Sequence, residues 1–459
     1  MTQEPAGKNP LYVTHQKQSV SMQEINPTLI LVGGSVRAAA TDAVAGGYRV
    51  VAIDRFGDRD LLQISERWYP LDDRWQQQLA AWPAAPIVGT GGFLWRDSCH
   101  LRSDRLVAFP TPDVFQSLCD PEQLRQVAAG CELDFPLTIP HAGRSSPLMV
   151  AAPASASQRW LIKPRYGTAG IGIRFASASS LSGHTDPSDD PIDLQQWVAG
   201  RPLGACFFTR RRCGQRVTRL LGAFDGLTHR QHRDWRWLYG GSLGPRQLTT
   251  SDRESLSRLG TEIADRFGLV GLFNVDLLRR RNGTLVLLEV NPRYSASMEL
   301  LRIPLNHSQA YPWASLIDWH LAAYEESAGQ IDHQTADRRT AWAGLPADDA
   351  DVRSRPAAHP AAGHGRQAAP ESACKRIVYA ATSMRIDCSV EELICRFAAP
   401  VEKSFGVQIS FHDLPPLGAI VPAGAPALSV IVRGRQDAAT LRRTAQRIAA
   451  HLRRDLRAP

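Results

Sequence analysis

Three polar side chains at the end of one apolar segment are able to hold a metal ion and an anion side by side. The run Leu285 to Leu288 is typical of a buried strand, and Glu289, Asn291 and Arg293 follow it. Alternate residues of a strand face the same way, so these three side chains share one face while the chain stays extended. Pro292 favours that extension, because it keeps the preceding residue out of the helical region. Carboxylate and amide oxygens beside a guanidinium suit magnesium with a nucleotide triphosphate.

A second carboxylate lies on the segment that precedes this strand. Residues 271–278 are typical of a neighbouring strand, and Asn282-Gly283 is a strong hairpin signal between the two. Taken alone, the Glu-x-Asn-x-Arg pattern also fits a solvated strand end. Pairing across the turn, however, would bring Asp276 close to Glu289. Two carboxylates and an amide on adjacent strands then favour a site for one or two magnesium ions.

A lysine-bearing strand followed by a glycine-rich loop forms the third candidate group. Lys163 precedes a loop that contains Gly167, Gly170 and Gly172. Glycines let the backbone approach phosphate oxygens, and a lysine ammonium binds the same charge. A simple turn is the alternative interpretation. The chain has only five lysines among 53 basic residues, and Lys163 is the only one between residues 18 and 374. Because lysine and arginine are not interchangeable at a single-point phosphate contact, its presence favours a phosphate-binding role.

The elements that must position these groups begin with a separate N-terminal unit. Residues 28–40 are typical of a strand, a glycine turn and a helix, and residues 48–54 of the next parallel strand. This order predicts a right-handed βαβ unit. The glycine turn departs from G-x-G-x-x-G, so NAD binding is a minor alternative. Candidate substrate contacts, for which a helix start and a solvated strand end are the simpler explanation, are Ser35, Arg37 and Asp54.

Composition excludes several classes of protein. The eight cysteines are scattered without a CxxC pair, which is typical of reduced thiols in a cytoplasmic protein. No apolar run approaches the roughly 18 residues of a membrane span, and residues 1–26 lack a signal-sequence pattern. Residues 331–373 are rich in Ala, Pro, Asp, Arg and His, which is typical of a flexible linker. The final residues, Ala438 to Arg454, have the spacing of an amphipathic helix.

A basic, aromatic stretch between Arg210 and Leu238 raises RNA binding as an alternative. A net charge of +8 spread over 459 residues is not a nucleic-acid footprint without a dedicated motif. The phosphates of ATP or an acidic substrate explain this stretch more simply. His229 and His232 have a spacing that suits a metal, but no Cys or further His lies nearby, so a solvated loop is the simpler explanation.

Taken together, the lysine strand, the glycine loop and the paired strands with Asp276 and Glu-x-Asn-x-Arg resemble the ATP-grasp superfamily of carboxylate ligases. The likeness covers roughly residues 110–310. Tyr239 to Pro245 and Asp54 to Asp60 further resemble a branch of predicted ATP-dependent carboligases. That branch is related to the group that contains the pyrrolysine-biosynthesis ligase and a tyramine–glutamate ligase.

The resemblance implies an α/β and α+β chain with an ATP-grasp fold, a Rossmann-like pre-ATP-grasp domain at the N-terminus and a small C-terminal cap. The implied units are a mobile tail (1–26), the Rossmann-like domain (27–115), the ATP-grasp domain (116–325), a flexible linker (326–373) and an α+β cap (374–459).

The resemblance also implies a role for each group. Lys163 would contact the α- and β-phosphates of ATP, and Arg293 would stabilise the transferring phosphoryl group or an acyl-phosphate. The loop that would cover the β- and γ-phosphates comprises Gly167, Thr168, Ala169, Gly170 and Gly172. The hinge that would hold adenine comprises Gln196, Trp197 and Val198. The ligands of Mg²⁺ (or Mn²⁺) would be Asp276, Glu289 and Asn291.

Two departures from the family pattern stand out. The hinge has Gln195-Gln196 where many relatives have an acid, and a second ATP-binding lysine is missing. No lysine lies between residues 18 and 162, so Arg125 is the candidate substitute.

The implied function is an ATP- and magnesium-dependent ligase that joins a small-molecule acid to an amine through an acyl-phosphate. The protein then mainly positions groups and stabilises charge, so no Ser or Cys nucleophile is required. A role in the biosynthesis of one-carbon cofactors of the methanopterin or methanofuran type is a hypothesis from the resemblance alone. The alternatives are an ATP-dependent carboxylase or small-acid kinase on the same fold, and a nucleotide-binding module whose catalysis has decayed. We expect a cytoplasmic protein without a nucleic-acid or membrane partner.

Overall fold

The computed structural model describes residues 26–93, 101, 105–141, 159–176, 191–229, 236–301, 315–340, 371–387 and 389–455. All of the predicted tail except its last residue lies outside these ranges. The same holds for residues 341–370 of the predicted linker and for His232.

The N-terminal unit is built on a parallel sheet of five strands in the order β3-β2-β1-β4-β5. Its strands are β1 (Thr28–Val32), β2 (Arg49–Asp54), β3 (Arg67–Pro70), β4 (Ile87–Gly89) and β5 (Val107–Ala108). Its helices are α1 (Arg37–Ala45), α2 (Arg59–Ile64) and a 3₁₀ helix at Trp75–Ala81. Strands β1 and β2 are almost entirely buried, because a parallel sheet is covered on both faces. The predicted Rossmann-like domain is confirmed.

A small antiparallel sheet follows, in the order β6-β9-β7-β8. Its strands are β6 (Thr138–His141), β7 (Trp160–Pro164), β8 (Arg174–Phe175) and β9 (Ile192–Gln196). Two helices precede it, α3 (Pro112–Leu118) and α4 (Pro121–Gly130). One face of the sheet carries a small apolar core that includes Trp160, Ile162 and Leu194. Because side chains alternate along a strand, Lys163 and its cross-strand partner Asp193 face the other way.

The largest sheet is antiparallel, with eight strands in the order β14-β13-β10-β11-β12-β15-β19-β17. The first five of these in the chain are β10 (Arg201–Arg212), β11 (Gln215–Thr228), β12 (Tyr239–Gly244), β13 (Gly271–Arg279) and β14 (Leu285–Asn291). Helix α5 (Thr250–Phe267) packs on one face and leaves the opposite face to the N-terminal unit. The predicted hairpin is present, and Gly283 in its turn adopts a φ of 91°.

The C-terminal unit is α+β, as predicted; three of its strands extend this same sheet, and the other two pair with each other. Strand β15 pairs with β12 over four register positions, from Gly241 opposite Arg376 to Gly244 opposite Ala373. Without that pairing, β12 would be an exposed edge with unpaired backbone groups. The strands of the unit are β15 (Ser372–Tyr379), β16 (Met384–Arg385), β17 (Gln408–His412), β18 (Ile420–Val421) and β19 (Pro426–Gly434).

Within the described residues, five α-helices follow strand β14 in the chain. The predicted C-terminal helix is observed and buries Leu441, Ala445, Ile448 and Leu452. These helices are α6 (Leu316–Ser327), α7 (His333–Thr340), α8 (Val390–Leu393), α9 (Ala399–Phe405) and α10 (Ala438–Asp455). None of the helices within the described ranges combines the length and the apolar character needed to cross a bilayer.

The prediction of a flexible linker is wrong for residues 326–340. Helix α6 continues to Ser327, and α7 follows after a short turn. The buried Glu326 carboxylate holds this region, because it pairs with Arg210 at 2.9 Å and also contacts the His333 ring. Buried charge therefore stabilises a segment whose polar composition shows no apolar period.

Candidate active site

The β13–β14 hairpin gathers the predicted metal ligands. Asp276 lies opposite Glu289 in the register, and Asn274 lies opposite Asn291. The Asn291 amide donates to Asp276 Oδ2 at 3.0 Å and to Glu289 Oε1 at 3.3 Å. Arg293 Nη2 donates to Asn291 Oδ1 at 2.9 Å. The four side chains form one connected group, while their roles remain predictions.

The two carboxyl groups of this hairpin repel each other in a buried setting. Burial, and then the charge of Glu289, raises the pKa of Asp276 to about 7. Burial alone would also raise the pKa of Glu289, but the Lys163 ammonium outweighs it and lowers that pKa to about 2. A divalent cation between the carboxylates would relieve this repulsion.

The donor set fits a magnesium ion in part. The described residues contain no group of three or more His, Cys, Asp or Glu side chains arranged to hold a metal ion. Asp276 and Glu289 supply two carboxylates, and Mg²⁺ commonly binds one or two carboxylates together with substrate phosphates. Asn291 now turns its NH₂ group toward both carboxylates, so it must rotate its amide before its oxygen can serve as a ligand.

Lys163 reaches from the small sheet to this hairpin. Its Nζ lies 2.6 Å from Glu289 Oε2, so the ion pair spans the cleft between the two sheets. Burial lowers the pKa of Lys163, but the Glu289 charge outweighs this and raises it, which keeps the ammonium protonated. A second cation, Arg165, lies at the end of the same strand and pairs with Asp193 at 2.7 Å.

The cleft is an open cavity between the two sheets, and residues of both sheets line it. The predicted site residues that line it are Lys163, Gly167, Thr168, Glu289, Asn291 and Arg293. Its apolar wall includes Phe93, Phe115, Leu118, Leu124 and Phe135. Charged side chains and an apolar wall therefore share one cavity.

Several predicted residues do not line this cavity. They are Ala169, Gly170, Gly172, Gln196, Trp197, Val198 and Asp276. The Trp197 ring packs against Phe175, and the main-chain N–H of Trp197 donates to the Arg159 carbonyl. Strand β9 instead turns Gln195 and Asp193 toward the cavity. Sequence reasoning could have found these two residues from the alternation of side chains along the strand. Asp193 and Gln195 are two residues apart, so they face the same side of the sheet as Lys163.

Arg125 does not substitute for the missing lysine in this structure. It lies on an exposed face of α4 and forms an ion pair with Glu122 at 2.7 Å. Helix α4 turns Pro121 and Leu124 toward the cavity instead. Arg165 is the cation that lines the cavity beside Lys163.

Glycine turns of the N-terminal unit approach the hairpin from the other side. Gly34 N donates to Gly91 O at 2.6 Å, so the turns after β1 and β4 contact each other. A Cβ atom on Gly91 would lie 3.4 Å from Arg293 Nη1. Arg293 therefore lies where the N-terminal unit meets the cavity.

Two of the three candidate substrate contacts in this unit are occupied by protein partners. Asp54 accepts hydrogen bonds from Val36 N, Gly57 N and Trp68 Nε1, so its carboxylate organises a turn. Arg37 is buried and contacts the acidic side chains described next. Ser35 is exposed.

A second ionic group, which sequence reasoning did not find, joins the N-terminal and C-terminal units. We call it the junction cluster, and it comprises Arg37, Asp60, Glu299, Lys375 and Asp413. Lys375 Nζ donates to Glu299 Oε2 at 2.6 Å, and Arg37 Nε donates to Asp413 Oδ1 at 2.9 Å. Arg37 Nη1 also donates to Glu299, and Asp60 accepts from Asp413 N at 2.9 Å. The one available signal was the scarcity of lysine, which applies to Lys375 as well as to Lys163.

Comparison with known proteins identifies this architecture. Residues 133–297 match the family model of an ATP-grasp domain. A carboxyaminoimidazole ribonucleotide synthase from Aspergillus clavatus, solved with ATP, has a TM-score of 0.61 and 12% identity, over 94% of this chain and 99% of that chain. An L-amino acid ligase from Bacillus licheniformis has a TM-score of 0.57 and 12% identity, over 92% and 97% of the two chains.

A third solved structure has the same fold. The biotin carboxylase domain of a Hydrogenobacter thermophilus 2-oxoglutarate carboxylase, solved with MgADP and bicarbonate, has a TM-score of 0.53 and 14% identity, over 89% and 86% of the two chains. No curated protein sequence matches this chain significantly. Identities this low establish the fold alone. Residues 133–297 match an ATP-grasp domain, the similar structures share the fold of nearly the whole chain, and the predicted fold class is confirmed.

Proposed function

We propose that this protein is an ATP- and Mg²⁺-dependent ligase that joins a carboxylate to an amine through an acyl-phosphate. The observation that carries the proposal is the Lys163–Glu289 pair at 2.6 Å, which spans the cavity beside Asp276 and Arg293. The ATP and MgADP complexes of the similar structures support the choice of ligand. The Bacillus licheniformis L-amino acid ligase supports carbon–nitrogen bond formation.

Each residue has a task that follows from its surroundings. Lys163 exchanges its Glu289 partner for phosphate oxygens, so that Glu289 becomes available to the metal. Asp276 and Glu289 would hold Mg²⁺, and Asn291 would supply a further oxygen after rotation of its amide. When bound, the metal neutralises phosphate charge and favours phosphoryl transfer. Mn²⁺ is the expected substitute.

The reaction proceeds in two balanced steps. An oxygen of the substrate carboxylate attacks the γ-phosphorus, the bond to the bridging oxygen breaks, and ADP leaves. The amine nitrogen then attacks the acyl carbon, phosphate leaves with the electron pair of the C–O bond, and the nitrogen loses a proton. Arg293 stabilises the charged oxygens of the acyl-phosphate, and its hydrogen bond to Tyr294 O at 3.3 Å holds the guanidinium when the Asn291 amide rotates away.

Carboxylation is the second candidate, because two of the similar structures belong to a carboxylase and to a carboxyaminoimidazole ribonucleotide synthase. In that case bicarbonate takes the place of the substrate carboxylate. A kinase for small acids would stop after the first step. Cofactor biosynthesis of the methanopterin or methanofuran type stays a hypothesis for the pathway, and the cytoplasm stays the expected location.

Phosphate release from ATP tests the proposal and separates these candidates. We would assay the full chain with Mg²⁺ against a panel of acids, each with and without a panel of amines, and with and without bicarbonate. A ligase requires an acid and an amine together, a carboxylase requires bicarbonate, and a kinase releases ADP without free phosphate. ATP binding without turnover in any combination would contradict the ligase and favour a nucleotide-binding module.

A further inference from the structure

The glycine loop rests on the segment that begins strand β12. We call Trp237, Leu238 and Tyr239 the docking segment. The Tyr239 N–H donates to Ala169 O at 3.0 Å. A Cβ atom on Gly170 would lie 2.0 Å from Trp237 O, and the φ of Gly170 is +76°. Only glycine permits so close an approach at that φ, so the loop is fitted to this segment.

The loop adopts a conformation that it needs a partner to keep. Ala169 has a φ of 54°, in the left-handed region that residues with a side chain disfavour. Its carbonyl is the group that accepts from Tyr239. The loop is also anchored at its far end, because the Phe175 ring packs edge-on against Trp237 with ring centroids 5.7 Å apart. The docking segment therefore determines where the loop lies.

The C-terminal unit holds the docking segment in turn. The Tyr379 hydroxyl on β15 donates to Tyr239 O at 2.8 Å. Tyr379 is buried, with its ring centroid 4.7 Å from that of His229. Burial raises the pKa of Tyr379, so the hydroxyl stays protonated and remains a donor. Both main-chain groups of Tyr239 are thus engaged, the carbonyl by the C-terminal unit and the N–H by the glycine loop.

We propose that Tyr379 is a positioning residue for the glycine loop, and that the C-terminal unit thereby sets the loop in place over the ATP phosphates. The connection runs from Tyr379 Oη to Tyr239 O, and from Tyr239 N to Ala169 O. The inference rests on the proposed function only where it says that the loop binds phosphate.

Tyr379→Phe tests this connection, because it removes one hydroxyl and keeps the buried ring. The matched control is Tyr48→Phe, which removes a cross-unit hydrogen bond to Asp318 Oδ1 at 2.6 Å, away from the loop. We expect Tyr379→Phe to raise the KM for ATP about fivefold, the effect of one net hydrogen bond, with kcat changed less. The control should leave the KM for ATP unchanged.

Limited proteolysis provides a readout that does not depend on activity. Arg174 is an exposed trypsin site at the end of the loop, and its cleavage reports how often the loop leaves its place. We expect Tyr379→Phe to speed cleavage after Arg174 about fivefold in the ligand-free protein, in proportion to the weakened hydrogen bond. Tyr48→Phe should cleave there like the wild type.

These experiments test the positioning role of Tyr379 separately from the proposed ATP-dependent function. Equal cleavage rates for Tyr379→Phe, Tyr48→Phe and the wild type would overturn the positioning role. A wild-type protein that fails to bind ATP would overturn the proposed function, while the cleavage comparison would still decide the inference. Equal increases in the KM for ATP in both variants would show general destabilisation and would also overturn it.

Discussion

Two buried or partly buried lysines of this chain each pair with a glutamate at 2.6 Å, yet their surroundings differ. Lys163 and Glu289 have side chains that are 15% and 36% exposed, and they face each other across a cavity. Lys375 and Glu299 are 4% and 11% exposed, and Arg37 and Asp413 surround them. The same ion pair is accessible to a ligand in the first region and enclosed by protein in the second.

This difference in exposure suits the first ion pair to ligand binding and the second to holding the folded units together. A partly exposed ion pair is screened by solvent and contributes less to stability than an enclosed one, so Lys163 can change partner at a smaller cost than Lys375. A buried pair resists disruption, because loss of one partner leaves an uncompensated charge in a low-dielectric setting. The junction cluster also draws its members from five separate parts of the chain, namely α1, α2, the segment after β14, β15 and the segment after β17. We infer that the first region serves the ligand and the second holds the units together.

The largest effect should come from Glu289→Gln. Loss of this carboxylate removes a metal ligand worth several kcal/mol of charge stabilisation, so turnover should fall by about a thousandfold or more. Phosphate release measures this, and circular dichroism checks that the fold is retained. The matched control is Glu299→Gln in the junction cluster, which should keep turnover of the folded protein within a few-fold. Similar turnover for both variants would contradict the metal assignment.

The next largest effect is on the free energy of unfolding, which we compare after replacing Lys375 or Lys163 with methionine. Lys375→Met should lower the free energy of unfolding by about 3 kcal/mol, because it removes one of the two cations that Glu299 and Asp413 contact and leaves their negative charge undercompensated. Lys163→Met should change it by less than about 1 kcal/mol, since its pair is partly exposed. Urea denaturation measures both. Equal losses would remove the distinction between the two regions.

The affinity for ATP should instead fall more in Lys163→Met than in Lys375→Met. Lys163→Met should weaken ATP affinity by about tenfold to a hundredfold, because a charged hydrogen bond to phosphate is lost. Lys375→Met should leave the affinity of the folded protein close to that of the wild type. Isothermal titration with ATP and Mg²⁺ compares them, and an unchanged affinity for Lys163→Met would refute its role.

The smallest effect is a dependence of stability on pH. Burial alone would raise the pKa of Glu299, but the charges of Arg37 and Lys375 outweigh it and lower that pKa from 4.5 to about 2. A carboxyl whose pKa is lower in the folded state stabilises the protein above its unfolded pKa. This contribution is complete above about pH 4.5 and is lost as the pH falls toward 2.

Comparison of the wild type with Glu299→Gln isolates this contribution. The difference in free energy of unfolding between the two proteins should be largest above pH 5 and should shrink as the pH falls toward 3. Parallel curves over that interval would show that the Glu299 carboxylate is not held by the junction cluster.

The parts of the site that follow local patterns could be predicted from the sequence. The hairpin turn at Asn282-Gly283 and the period of two along the strands bring Asp276, Glu289 and Asn291 together, as expected. Lys163 was identified from its rarity and from the glycines that follow it. Helix α7 was missed, because the bond between buried Arg210 and Glu326 joins residues far apart in the sequence.

The sequence by itself indicated the fold class through its resemblance to ATP-grasp ligases. It also indicated candidate residues for a nucleotide and a metal, because strand alternation, turn chemistry and lysine scarcity are local properties. Only the tertiary structure decided which faces meet. It turned Gln195 rather than Trp197 toward the cavity, left Arg125 on the surface and brought Lys375 to Glu299. These outcomes depend on contacts between distant segments, and neither periodicity nor composition specifies which distant partner a side chain will find.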